Sequence, residues 1–291
     1  MALDSMQEIF DAVATQGDSF WRVVQKVDMR ERQVSEEESF EKMRTTWKVM
    51  LESVNSYQGT QRSLSGLVGG DGQKMREYAK NGEAYSGDYL QEVIAIALCV
   101  GESNACMRKI VAAPTAGSCG VLPAVLTPLF QNGTFTEEEI VHALYVAAGI
   151  GAVIGYRAYI SGASGGCQAE IGSASAMAAG ALTALRNGSA AQIGHAVAMS
   201  LKNLMGLVCD PVAGLVEVPC VKRNVIGAVN AVSCADMALA GIESRIPVDE
   251  VIDCMRSVGD HMPMELRETA LGGLAATPFG KRVKKELEKN R

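Results

Sequence analysis

The sequence predicts an all-α fold, a single large helical domain whose glycine-rich loops join apolar helices. Three observations carry that prediction. Hydrophobic residues make up 48% of the 291-residue chain but aromatics only 5%. The excess lies in Ala, Gly, Met and Val, which suits closely packed helices better than a sheet-rich core. Apolar residues recur at three- and four-residue steps behind helix-capping signals, and no succession of strands and helices appears.

Residues 1–58 read as amphipathic helices. Ser35 and Glu38 have capping-box spacing, and Phe40, Met43, Trp47, Met50, Leu51 and Val54 then follow helical steps. The pattern stops in a glycine- and serine-rich loop, Gln58 to Gly72. A soft boundary falls there, with residues 59–291 forming the larger helical domain, which carries the loop cysteines. Asp88 is placed to cap a helix through Ile110, followed by the loop AAPTAGSCG. Thr136 and Glu139 form a second capping box that opens an apolar helix toward Ile160. After the loop SGASGGC, the segment Glu170 to Arg186 is almost all small residues, so its neighbours must approach closely. Ser189 caps a helix to Gly206, and the loop CDPVAGLVEVPC ends at Cys220. Helices are predicted from Val221 to Gly241 and from Val248 to Asp260, and the mixed-charge tail reads as a solvated helix end.

A net charge of −6 argues against nucleic acid and anionic membrane surfaces as partners. The longest apolar stretch, Ala143 to Tyr156, is shorter than the roughly 18–20 residues that span a bilayer. Met1 to Phe20 carries acids rather than a basic-then-apolar leader, so the cytoplasm is the expected compartment. In that compartment eight cysteines are not a disulfide framework.

Position separates them. Cys99, Cys106, Cys234 and Cys254 lie in helical apolar patterns and read as small buried hydrophobes. Cys167, Cys209 and Cys220 each sit in or at the end of a glycine- or proline-containing loop. Their spacing is not the Cys-x-x-Cys clustering of ferredoxins or zinc ribbons, so spacing alone leaves metal ligation and burial both open. Cys167 and Cys220 immediately precede predicted helices, where unpaired N–H groups and the helix dipole stabilise a thiolate.

Four segments carry a resemblance: SGASGGCQAEIGSASAMAAGAL (Ser161 to Leu182), LKNLMGLVCDPVAGLVEVPCVKRN (Leu201 to Asn224), APTAGSCGVLPAVL (Ala113 to Leu126) and RETALGGLAATPFGK (Arg267 to Lys281). Together they resemble the alpha chain of bacterial iron–sulfur-dependent L-serine dehydratases, across nearly the whole chain and least before Gln58. The resemblance implies a [4Fe–4S] cluster on Cys167, Cys209 and Cys220, with the glycine-rich loops converging on it. It implies deamination of L-serine to pyruvate and ammonia and a β-type partner subunit; pyridoxal phosphate is not expected, because no lysine occurs between Lys109 and Lys202 and the parallel-sheet pattern is missing. Cys119 reads as a small residue lining the site rather than a ligand.

Three thiolates leave one iron open, the mark of a catalytic metal site, and an open iron acting as a Lewis acid eases departure of the serine hydroxyl. Thr115, Ala116, Gly117 and Ser118, with Ser65, Gly69 and Gly70, offer backbone donors to the substrate carboxylate, and Lys222 offers a charge. No side chain reads as the general base; His142, His195 and His261 lack a convincing partner, and the partner chain is the other source. Two alternatives remain open on sequence: a cluster-dependent lyase for L-cysteine or another β-substituted amino acid, and a non-catalytic metal protein using the three cysteines with His195.

Overall fold

The computed structural model describes residues 3–82 and 84–289, and thirteen α-helices run through them. They are α1 (Met6–Gln16), α2 (Phe20–Arg32), α3 (Glu36–Asn55), α4 (Asp71–Ala79), α5 (Asp88–Ala105), α6 (Val121–Gln131) and α7 (Glu137–Arg157). There follow the single turn α8 (Gly162–Gly165), then α9 (Ser173–Leu185), α10 (Ala190–Leu204), α11 (Cys220–Leu239), α12 (Val248–His261) and α13 (Pro278–Lys289). The fold is all-α. Extended pairing among the described residues amounts to one bridge, between Cys209 and Arg267.

Of the predicted capping signals Asp88 alone does not cap: Gly87 takes the N-cap position, and Asp88 is the first residue of α5, where its charge faces the helix dipole. Ser35 Oγ accepts the Glu38 N–H while Glu38 accepts the Ser35 N–H, and Thr136 with Glu139 repeats the exchange at the head of α7. Ser189 and Gln192 do the same for α10. Several boundaries differ. The helix begun at Asp88 stops at Ala105 rather than Ile110, because Met107 is left-handed (φ 59°) and the Arg108 N–H turns back to the Ser103 carbonyl. α7 ends at Arg157 because Ala158 leaves helical backbone space. The small-residue helix starts early, as a π-helical turn at Gln168–Gly172 that runs into α9.

α9 is the centre of the core, enclosed by α6, α7, α10 and α11. Its alanines 174, 176, 178, 179 and 181 are fully buried. Ser175 donates to the Gly227 carbonyl (2.6 Å) and accepts from Ser200 and Asn230, tying α9, α10 and α11 through satisfied buried groups. α1, α2 and α3 close the other side: Met6, Ile9, Phe20, Trp47, Met50 and Val54 join the same hydrophobic cluster as α7 and α10. By length and composition α7 is apolar enough to cross a bilayer, longer than the stretch the sequence marked out. Its most apolar window is 61% buried inside the protein, where it serves as a core helix.

Gly180 allows α7 and α9 to approach. A Cβ there would sit 2.2 Å from Ile150 Cδ1 and 3.3 Å from Val197 Cγ2. A branched side chain must displace both neighbours, at a cost of about 1–3 kcal/mol for an overpacked core. Gly180→Val is therefore expected to lower the urea midpoint without changing the slope of the transition. An unchanged midpoint would mean that the two helices are not locked together here.

Candidate metal centre

Three local structures deliver the three loop cysteines to one place. Cys220 is the first residue of α11, directly after Pro219. Cys167 enters the π-helical turn Gln168–Gly172. Gln168 fixes that entry: its side-chain amide donates to the Met255 carbonyl (3.0 Å) and accepts the Gly206 N–H (2.8 Å), and its own N–H meets the Leu207 carbonyl. Cys209 is held through its backbone, giving its N–H to the Leu266 carbonyl (2.8 Å) and accepting the Glu268 N–H (2.7 Å). All three side chains are buried, at 1–3% exposure.

The sulfurs of Cys167 and Cys209 and a carboxylate oxygen of Glu170 all lie within 4.8 Å of one another, a group able to hold a metal ion. Cys220 is not part of that group, although it lies within electrostatic reach of Cys167 and Cys209. A hydrogen bond from Cys209 holds the Cys167 thiol below its ordinary range, against burial and with help from the Arg223 charge. The same bond, with burial, pushes the Cys209 thiol up, and burial pushes Cys220 up. Of the three thiols, Cys167 is the one whose ionisation its surroundings favour; a bound cation would favour that of the other two as well.

Arg223, on the first turn of α11, is the charge at the centre of this arrangement. Its Nη1 donates to Cys167 Sγ (3.2 Å) and the Val208 carbonyl (2.7 Å), and its Nη2 donates to Asp210 Oδ1 (2.8 Å). Asp210 accepts the Leu274 N–H on its other oxygen (2.8 Å), which draws the C-terminal segment over the site. Burial disfavours the guanidinium charge, but Cys167 and Asp210 outweigh it.

The Ala116–Ser118 turn forms the facing wall. Thr115 Oγ1 donates to Glu170, and a Cβ on Gly117 would lie 2.6 Å from Glu170 Oε1, so only glycine admits the carboxylate. Asn224 anchors the turn to α11, donating to the Gly117 carbonyl (2.8 Å) and accepting the Gly120 N–H (2.8 Å). Burial raises the Glu170 carboxyl, opposed by the Thr115 hydrogen bond and reinforced by the nearby Glu268 charge.

A family profile described as "Serine dehydratase alpha chain" matches residues 15–275. The chain belongs to that family. A relative from Bacillus subtilis, described as "Probable L-serine dehydratase, alpha chain", is 47% identical over 91% of this chain and 88% of its own length. The "L-serine dehydratase, alpha chain" of Peptoniphilus asaccharolyticus is 41% identical over 99% of both. "L-serine dehydratase TdcG" of Escherichia coli is 45% identical over 62% of this chain but only 40% of its own length.

Within this serine dehydratase alpha chain the other sequence-derived residues fall in several places. Thr115, Gly117 and Ser118 lie on the wall beside Glu170, joined by a hydrogen bond between the Thr115 and Ser118 hydroxyls. Ser65 donates to Glu217, which also takes the Ser63 hydroxyl, so the loop carrying Gly69 and Gly70 docks on the connection between Cys209 and Cys220. Lys222 is not brought to the cysteines: its exposed ammonium pairs with Asp71 (2.9 Å). His142 stacks on Trp21 (3.7 Å between centroids), His195 Nδ1 accepts the Ser244 N–H, and His261 meets the Ser257 carbonyl. None of the three joins the cysteine group.

The remaining cysteines part company with their predicted burial in two cases. Cys99 and Cys234 are buried, and burial raises their thiols to about 12 and about 11, as for inert core groups. Cys119 is buried too, raised to about 12 and aimed at the Val100 carbonyl. Cys254, however, is exposed on α12 beside Met205, off the buried stripe of that helix, and Cys106 is half-buried because α5 ends before it and it serves as the C-cap. Sequence reading missed Glu170, Asp210, Asn224 and Glu268. Three of them adjoin the cysteine motifs in sequence, and that adjacency was the available signal.

Proposed function

We propose that this alpha chain converts L-serine to pyruvate and ammonia with a [4Fe–4S] cluster held by Cys167, Cys209 and Cys220, acting in the cytoplasm beside a β-type second chain. The observation that carries the reading is the set of three buried loop thiols, two of them with Glu170 inside 4.8 Å. The donor set suits the group. Soft thiolates select iron–sulfur clusters, and an anionic cluster gains from Arg223 and from the N–H groups at the head of α11.

When bound, such a cluster supplies a Lewis-acidic iron that eases departure of the serine β-hydroxyl. The chain's own residues hold and orient the amino acid. Thr115 and the Ala116–Ser118 turn offer hydroxyl and backbone donors to its carboxylate, with the Ser65–Gly70 loop flanking them. Burial of the site excludes water, which strengthens each of these contacts. Loss of the Cα proton and of the β-hydroxyl group, which leaves as hydroxide and becomes water, forms the Cα=Cβ bond of aminoacrylate, which tautomerises and hydrolyses to pyruvate and ammonium. The Cα proton goes to a base on the second chain. That assignment is supported by the histidines being engaged elsewhere and by the relatives' description as alpha chains. It is also supported by the E. coli relative, whose matched segment is 40% of its length.

Pyruvate release from L-serine by the anaerobically reconstituted protein tests the reading. Turnover should require the second chain, decay in air, and return with ferrous iron and a thiol. A colourless zinc protein, an air-stable activity, or a preference for L-cysteine over L-serine would contradict it.

A further inference from the structure

We infer that the Glu170 carboxylate is the resting ligand of the one cluster iron that the three cysteines leave uncovered. The inference rests on the reading that Cys167, Cys209 and Cys220 hold a four-iron cluster. Glu170 is the carboxylate that shares the 4.8 Å group with Cys167 and Cys209. It reaches them from the π-helical turn that begins just after Cys167, and such wide turns recur where a helix must aim a side chain at a site.

The position is built rather than incidental. Thr115 and Gly117 shape one side of the carboxylate, and Thr115 takes its Oε1. Oε2 takes no hydrogen bond among the described residues; it is not enclosed like the orphaned polar atoms of the core but keeps an opening, although the side chain as a whole is only 8% exposed. A buried carboxylate needs hydrogen bonds or a cation to offset its lost hydration. Glu268 adds like charge nearby. The neighbouring guanidinium, Arg223, is already engaged by Cys167, Val208 and Asp210. A metal beside the two sulfurs would supply the cation that this carboxylate lacks. A carboxylate oxygen is also a harder, more readily exchanged donor for iron than a fourth thiolate. It would cover the iron at rest and yield it to an incoming hydroxyl-bearing amino acid.

The test uses the full-length protein reconstituted anaerobically with ⁵⁷Fe and sulfide, without substrate. Iron retention under a mild chelator and the Mössbauer spectrum are measured for wild type, Glu170→Gln, Glu170→Ala, Glu268→Gln and Cys209→Ala. Glu170→Gln keeps the side-chain volume and an acceptor for Thr115, so its fold is preserved. Both Glu170 variants should lose one iron of the four and give a paramagnetic three-iron species, while wild type and Glu268→Gln keep all four. One quadrupole doublet should differ between wild type and Glu170→Gln before chelation. Wild-type retention and an unchanged doublet in both Glu170 variants would overturn the inference. Full iron in Cys209→Ala would instead overturn the cluster assignment beneath it.

Discussion

Cys209→Ala is expected to abolish stable iron binding and to reduce L-serine turnover by at least about a thousand-fold. Metal polarisation supplies several kcal/mol of transition-state stabilisation, and each 1.4 kcal/mol or so is tenfold in rate. Cys209 is the most exacting of the three positions. Its sulfur stands within 4.8 Å of Cys167, and its backbone is clamped on both sides by Leu266 and Glu268. Cys167→Ala and Cys220→Ala should behave alike, whereas Cys254→Ala should keep full iron and activity, because that thiol is exposed on α12 away from the group. Iron and sulfide content, measured beside the pyruvate assay, checks all four; full iron in Cys209→Ala would remove the basis of the site.

Arg223→Met is expected to destabilise the metal-free protein by about 3–5 kcal/mol, the cost of leaving a buried charge without its partner. Asp210 is 3% exposed and would keep only the Leu274 N–H. Adding Asp210→Asn removes the orphaned charge and keeps an acceptor for Leu274. The double variant should therefore regain most of the lost stability, a coupling that a double-mutant cycle in urea measures directly. It should not regain cluster retention, because Cys167 still lacks its countercharge. If the double variant retained iron like wild type, Arg223 would be a structural residue alone.

The sequence was most legible where local chemistry decides the outcome. The boxes at Ser35, Thr136 and Ser189 started their helices as read, and Trp47, Met50 and Val54 were buried at their predicted spacing. The stretch of small residues in α9 announced its central place. The three loop cysteines were separated from the others by context alone. What sequence could not show was direction. Lys222 and Arg223 are neighbours, yet successive residues point about 100° apart around a helix. One therefore meets Asp71 at the surface and the other meets Cys167 in the interior. Cys254 illustrates the same limit, since an apolar neighbourhood in sequence did not place it on the buried stripe of α12. Asp210 and Glu268 acquire their roles only when the C-terminal segment folds across the Cys209 loop, a pairing set by tertiary structure rather than by local pattern.

On the proposed reading, serine meets iron at the centre formed by these cysteines. The most direct measurement is the Mössbauer spectrum of the ⁵⁷Fe-reconstituted protein with its second chain, freeze-quenched with L-serine or with L-alanine, which lacks the hydroxyl. L-serine should alter the doublet of a single iron and leave the others unchanged, and L-alanine should not reproduce that change. A spectrum indifferent to L-serine under conditions in which pyruvate is forming would contradict the account.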